Sequence, residues 1–264
     1  MSSIDVNFCS ASLVKISQVA GDVLLRYFRK TRLHCFAKHG RANLVTQADL
    51  ASQKIIIKLL MKSFPDIPVV TEENPLVAPE SEAYFLVDPL DGTLNFFHGI
   101  PFFSVSIALM INHKPLVGVV HAPFLNETFY AIKGRGTFLN AKELRTGQKK
   151  TLKEAIAVTG WPYDPSLMDL ALRLLILVQK EVQEVRVLGA CSLEMCYVAA
   201  NFIDVYWEIG LCPWDLAAGW LIVEEAGGVV SDLDGSAFDL SAGRVLAVNS
   251  ETLHRDVVKI LRRL

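Results

Sequence analysis

Positive charge is not in excess in this chain of 264 residues: 26 lysines and arginines stand against 28 aspartates and glutamates, a formal net charge of −2. No overall basic surface is therefore offered to nucleic acid, and the Lys149-Lys150 pair is too short to make a local one. Cysteine is sparse. Cys9, Cys35, Cys191, Cys196 and Cys212 form no C-x-x-C pair and lie too far apart in sequence for a disulfide scaffold or a zinc site. Free thiols in a reducing cytoplasm are expected. The start, MSSIDVNFCSASLV, lacks a basic segment followed by an apolar one, so no secretory signal is read there. The longest apolar runs, such as that around Ile107 to Ile111, fall short of the ~20 residues of a membrane span. Linkers rich in Pro, Gly or Ser, internal repeats and low-complexity tracts are missing. So are G-x-S-x-G, Walker A and H-E-x-x-H motifs. With 52% hydrophobic and 20% charged residues, the chain has the profile of a soluble, folded protein.

What is present reads as two halves. Leu13, Ile16, Ala20, Val23, Leu24 and Tyr27 form a helical stripe. Thr46-Gln47-Ala48-Asp49 has capping-box form ahead of a second helix carrying Ile55, Ile56, Leu59 and Leu60, which stops at Phe64-Pro65. Short strands are expected from Val69 to Glu72 and from Tyr84 to Asp88, then at 103–111, 116–121 and 127–131, with Gly134-Arg135-Gly136 turning into one more. Beyond about residue 150 the pattern alternates. Helices are predicted at 166–180, 190–200, 214–226 and 250–263, with strands near 184–187, 203–209, 228–231 and 245–248. The expectation is a layered α/β protein in two tightly packed halves, 1–148 and 149–264.

Three short segments place acids at strand ends or helix starts: Thr71-Glu72-Glu73, Asp88-Pro89-Leu90-Asp91-Gly92-Thr93, and Cys212-Pro213-Trp214-Asp215. Pro89 lacks a backbone donor, so the strand is expected to end at Asp88, with the following turn bringing Asp91 to its side. Gly92 lets the backbone approach a ligand closely, and Thr93-Leu94-Asn95-Phe96 can start a helical turn whose free amides attract phosphate. Converging carboxylates repel: two unit charges 4 Å apart are worth about 4 kcal/mol at an effective dielectric of 20. A divalent cation removes that penalty, and all-oxygen ligation favours Mg²⁺, Mn²⁺ or Ca²⁺ over zinc. Plainer roles stay open for several of these residues. Asp49 is also accounted for as the acid of its capping box, Asp215 as a helix-start acid, Glu208 as a solvated rim residue, and Lys38 as a solvated loop charge. Cys191 and Cys196 suit small core positions, and His98 and His121 have no partner spacing for a metal.

The run Phe85-Leu86-Val87-Asp88-Pro89-Leu90-Asp91-Gly92-Thr93-Leu94-Asn95-Phe96 resembles a signature of the inositol monophosphatase family, the Mg²⁺-dependent, lithium-sensitive phosphatases related to fructose-1,6-bisphosphatase. A second signature is resembled by Trp214-Asp215-Leu216-Ala217-Ala218-Gly219, continuing to Glu224-Glu225-Ala226-Gly227-Gly228. Leu44 to Asp49 and Thr71-Glu72-Glu73 fall in the expected order, so the resemblance spans nearly the whole chain. It implies a sugar-phosphatase fold of alternating α/β/α/β/α layers. It also implies Mg²⁺-dependent hydrolysis of a small phosphorylated sugar or cyclitol, inositol 1-phosphate first. By resemblance, Glu72, Asp88 and the Leu90 carbonyl hold a first metal, and Asp88, Asp91 and Asp215 a second, with Glu72 near a weaker third. Thr93, paired with Asp49 and close to Glu72, corresponds to the group that activates water. The Gly92 and Thr93 amides hold phosphate; Gly189, Ala190, Cys191, Glu208 and Asp215 contact the alcohol; Lys38 stands near the metals. A homodimer is implied too, with Arg186 in its contact region. Gly189-Ala190-Cys191-Ser192 departs from the family's small-residue run, and Thr71 stands where Gly is common, which bears on the alcohol pocket.

Overall fold

The computed structural model describes residues 4–30, 35–39, 43–72, 81–147 and 151–263. Helix α1 (Val6–Tyr27) starts where the Asp5 carboxylate accepts the N–H groups of Asn7 and Phe8, at 3.0 and 3.1 Å. A hairpin of β1 (Cys35–His39) and β2 (Asn43–Thr46), not anticipated from the sequence, leads into α2 (Gln47–Ser63). The expected capping box is present at that start: Asp49 accepts the Thr46 N–H at 2.9 Å while the Thr46 hydroxyl caps Ala48.

A seven-stranded sheet follows in the order β3 (Val69–Thr71), β4 (Ala83–Asp91), β5 (Ser104–Ile111), β6 (Lys114–Ala122), β7 (Glu127–Ile132), β8 (Thr137–Leu139), β9 (Lys142–Leu144). Only β3 and β4 pair in parallel; the rest is an antiparallel meander. The short α3 (Thr93–Phe97) is set between β4 and β5. The second sheet has the order β11 (Glu184–Arg186), β10 (Ile156–Thr159), β12 (Val205–Ile209), β14 (Arg244–Val248), β13 (Val229–Ser231). Its helices are α4 (Met168–Gln179), α5 (Cys191–Ala199), α6 (Pro213–Glu225) and α7 (Glu251–Leu261).

Strand alternation explains the layering. On β4, Phe85 and Val87 point into one core with Leu13, Leu24, Ile56 and Leu60 of α1 and α2. Tyr84 and Leu86 point the other way, into a core shared with α5 and α6. On β12, Tyr206 faces that same central core, while Val205 and Trp207 join Leu174 of α4 and Val257 of α7. The order is therefore α1α2, sheet, α5α6, sheet, α4α7, which is the α/β/α/β/α stack expected. Helix α6 lies between two sheets, and its run from Leu216 to Val223 is buried all round, as a helix covered on both sides requires. It rides so close to β6 that a Cβ on Gly118 would stand 3.0 Å from the Ala218 backbone. Truncating a fully buried ring such as Phe85 or Trp207 to Ala would cost about 3–5 kcal/mol.

Four expectations need correction. Pro89 does not end β4: the strand runs on to Asp91, with a register shift between the Asp88–Ser106 and Asp91–Ser104 pairs. A bulge absorbs the missing donor there, and Asp88 Oδ1 takes the Leu90 N–H at 2.9 Å. Strand β10 was missed, because four residues without alternation give little signal. Helix α1, at 22 residues, is long and apolar enough by length and composition to cross a membrane, although polar residues interrupt its apolar runs. Here its Leu13, Ile16, Ala20 and Leu24 face is packed in the core. Glu208 is not a solvated rim residue: it is buried.

Candidate active site

The acids arrive from both sheets. Glu72 follows β3 and its N–H bonds the Val87 carbonyl at 3.2 Å, which sets it beside the end of β4. Asp88 and Asp91 flank the β4 bulge, and the Ser52 hydroxyl of α2 fixes the Pro89 carbonyl at 2.8 Å. Asp215 is the third residue of α6, where its Oδ2 accepts the Cys212 N–H at 2.8 Å as a cap. The Ser106 hydroxyl ties β5 to the Trp214 carbonyl at 3.4 Å, bringing that helix start over the first sheet. All four acids, with Leu90, Gly92 and Thr93, line one cleft of about 860 Å³. Gly189, Ala190, Cys191 and Glu208 line it from the other side.

Asp49 sits beneath that cleft, fully buried and not part of its lining. Its Oδ1 lies 3.0 Å from the Thr93 hydroxyl, which also reaches the Leu90 carbonyl at 2.9 Å. The capping role and the link to Thr93 thus coexist on one carboxylate. Glu73 lies outside the described residues. Lys38 falls in β1, but its side chain lies outside them. His121 is an internal residue, its ring 2.9 Å from the Thr128 hydroxyl. All five cysteines are free, and both Cys191 and Cys196 are buried as expected, Cys191 at the cleft wall.

Electrostatically these carboxylates belong together. Burial, then Glu72, Asp91 and Asp215, push the Asp88 carboxyl well above the usual carboxylate range. Asp215, half-buried at its surface, is raised by desolvation and by Glu72, Asp91 and Glu208. Asp91 is raised by burial but relieved by Ser192, which donates to Oδ2 from its N–H at 2.8 Å and its hydroxyl at 2.5 Å; Ser104 adds a third donor at 3.3 Å. Burial lifts Asp49 to about 6, against the hydrogen bonds from Thr46 and Thr93. Burial lifts Glu208 to about 7, against the Tyr206 hydroxyl 2.6 Å away.

Among the described residues, no group of three or more His, Cys, Asp and Glu side chains is already arranged around one ion. The donor set nevertheless suits a hard divalent cation. It is all oxygen, anionic, and held where burial and mutual repulsion together penalise the charges, a penalty that a cation would remove. Beside it, Gly92 takes φ +83°, a left-handed turn that starts α3, and the first turn of a helix leaves N–H groups without intrahelical partners. Sequence reasoning missed Trp161 and Tyr163, exposed aromatics at the mouth, and the Ser192 contact to Asp91. The Ser192 position was marked only as a departure from a small-residue run.

Carboxylates grouped around anion-seeking amides equip a protein for chemistry on phosphate esters, and the class they define is that of the phosphatases. The chain belongs to the inositol monophosphatase family, whose model matches residues 7–264. Inositol monophosphatase 2 of Solanum lycopersicum is 41% identical over 245 residues, covering 90% of this chain and 92% of that protein. Nus factor SuhB of Haemophilus influenzae is 37% identical over 249 residues, covering 94% of this chain and 93% of that one. Among solved structures, extragenic suppressor protein suhB from Bartonella henselae matches with a TM-score of 0.91 at 37% identity, over 96% of this chain and 98% of its own.

Proposed function

We propose that this chain hydrolyses a small phosphate monoester with Mg²⁺, inositol 1-phosphate foremost. The observation that carries the reading is the meeting of Glu72, Asp88, Asp91 and Asp215 in one cleft above the Thr93–Asp49 pair. Glu72, Asp88 and the Leu90 carbonyl would hold one cation, and Asp88, Asp91 and Asp215 a second, with Glu72 near a third; Mn²⁺ is the alternative ion. Bound there, the cations would supply Lewis acidity and charge neutralisation for the phosphoryl oxygens and the departing alcohol.

The chain's own groups do the rest. Thr93 can aim its hydroxyl hydrogen at Asp49, leaving an oxygen lone pair to accept a water proton as its own proton passes to Asp49. Asp49, raised to about 6 by burial, is matched to take up the Thr93 proton near neutrality. The Gly92 and Thr93 amides orient phosphate oxygens. Gly189, Ala190, Cys191, Glu208 and Asp215 bound the alcohol side.

Phosphate release tests the reading, with inositol 1-phosphate, fructose 1,6-bisphosphate, histidinol phosphate and 3′-phosphoadenosine 5′-phosphate as substrates. Each is run with Mg²⁺, with EDTA, and with Mg²⁺ plus lithium. Release that needs Mg²⁺ and falls with lithium is expected; folded protein inactive on all four would refute it. A second reading rests on the relatives called Nus factor SuhB: a non-catalytic role in a transcription complex. Co-purification of RNA polymerase with an inactive Asp88→Asn protein would support it. A homodimer around Arg186, which pairs with Glu184 at 3.5 Å on the surface, belongs to the first reading and is checked by light scattering.

A further inference from the structure

The segment 187–190 forms the alcohol-side wall of the cleft, and two side chains outside the proposed chemistry grip it from opposite sides. From the phosphate side, the Asn95 amide of α3 donates from Nδ2 to the carbonyls of Leu188 at 2.7 Å, Gly189 at 3.3 Å and Phe102 at 2.9 Å. From the opposite side, Glu194 of α5 accepts the N–H groups of both Leu188 and Gly189 on one oxygen, Oε1, each at 3.0 Å. Its second oxygen, Oε2, is buried without a hydrogen-bond partner, and the residue has no exposed surface. Burying a carboxyl group with one of its two oxygens left unpartnered is a costly arrangement for a merely structural cap. Packing reinforces the link, for a Cβ on Gly92 would stand 3.1 Å from the Ala190 Cβ and 3.2 Å from the Gly189 carbonyl. One peptide stretch is thus held by donors from the phosphate side and an acceptor from the central helix layer.

We infer that Asn95 and Glu194 are positioning residues: together they fix the Leu188–Gly189 backbone at a set distance from the phosphate seat and so determine which alcohols fit between the two. The inference rests on the phosphatase reading and deepens it, since it concerns the leaving-group side of the same site. An alcohol bearing hydroxyls or ring C–H groups has to be measured against this wall, whereas inorganic phosphate is not. Removing either side chain is expected to loosen the wall and leave the phosphate seat in place.

The test compares Asn95→Ala, Glu194→Ala and Glu194→Gln in the full chain with Mg²⁺. Hydrogen exchange over residues 185–190 reads the grip directly; KM for the preferred ester reads the alcohol side; competitive inhibition by inorganic phosphate reads the phosphate side. Expected are faster exchange and a KM raised about tenfold in both alanine variants, with an unchanged phosphate inhibition constant, as loss of one or two hydrogen bonds to the backbone allows. Glu194→Gln keeps an acceptor oxygen and is expected to retain most of the wild-type KM. The double alanine variant is expected to fall short of additivity, because both act on one peptide. Loosened exchange with unaltered KM would overturn the inference, as would a parallel loss of phosphate inhibition. Wild-type protein that hydrolyses no ester would instead sink the phosphatase reading, and the positioning role with it.

Discussion

Without a cation, the cleft is a store of repulsion, and removing one charge ought to make the protein more stable while disabling it. Asp88→Asn is the cleanest perturbation: the amide keeps an oxygen to accept the Leu90 N–H at 2.9 Å, has nearly the same shape, and loses only charge. Asp88 is 3% exposed and feels Glu72, Asp91 and Asp215. One like-charge contact at 4–6 Å is worth about 3–4 kcal/mol at an effective dielectric of 20, and side-chain relaxation and water in the cleft reduce that to about 2 kcal/mol. At about 2–4 °C per kcal/mol for a chain of this size, the variant should melt about 4–8 °C above wild type in EDTA. Added Mg²⁺ should reverse the order: wild type gains about 2.7 kcal/mol at a cation concentration a hundred times its Kd, while the variant gains little. Thermal melts in EDTA and across a Mg²⁺ series decide it. A variant less stable than wild type in EDTA, or one stabilised equally by Mg²⁺, would refute the reasoning.

Thr93→Ala removes the hydroxyl between water and Asp49, and kcat should fall by about a hundredfold or more with KM little changed, read by phosphate release. Ser192→Ala strips one of three donors from Asp91 Oδ2 and should weaken Mg²⁺ binding by about tenfold in calorimetric titration. Gly92→Ala forces a side chain into φ +83° and to 3.0 Å from the Phe102 carbonyl, a loss of about 1–2 kcal/mol in urea unfolding. His121, held below its ordinary 6.5 by burial, gives a pH signature. Above pH 6.5 both folded and unfolded chains leave it neutral; as pH falls below 6.5 the unfolded chain takes the proton first, and stability drops. His121→Asn should therefore lose less stability than wild type between pH 7.5 and 5.5, measured by urea midpoints.

Most of the candidate site was legible because its acids are crowded into short, chemically loud segments. Asp88-x-x-Asp91-Gly92-Thr93 and Trp214-Asp215 announce themselves beside apolar runs, and the α1 stripe and the Thr46–Asp49 box are local features. What escaped depends on contacts made across the chain. That β4 continues past Pro89 is decided by Ser104 on β5, and Glu194's grip on Leu188 and Gly189 is visible only once α5 is folded back on its own lead-in. The strand Ile156–Thr159 is interior to its sheet, paired in parallel on both sides, so it needs no alternation to be stable and leaves none to read.

The order in which the acids occur along the chain has a consequence for how the protein matures in the cell. Glu72, Asp88 and Asp91 are synthesised early, on a meander that pairs largely with its sequence neighbours; Asp215 comes much later, on a helix that packs between the finished first sheet and a second sheet whose β14 and β13 are still to be made. During synthesis the growing polypeptide carries a partial acidic mouth and an uncovered sheet face meant for α5 and α6. On the proposed reading, cation capture would be a closing event rather than a nucleus, and a ribosome stalled before α6 would leave a sticky, charge-frustrated intermediate for chaperones to shield.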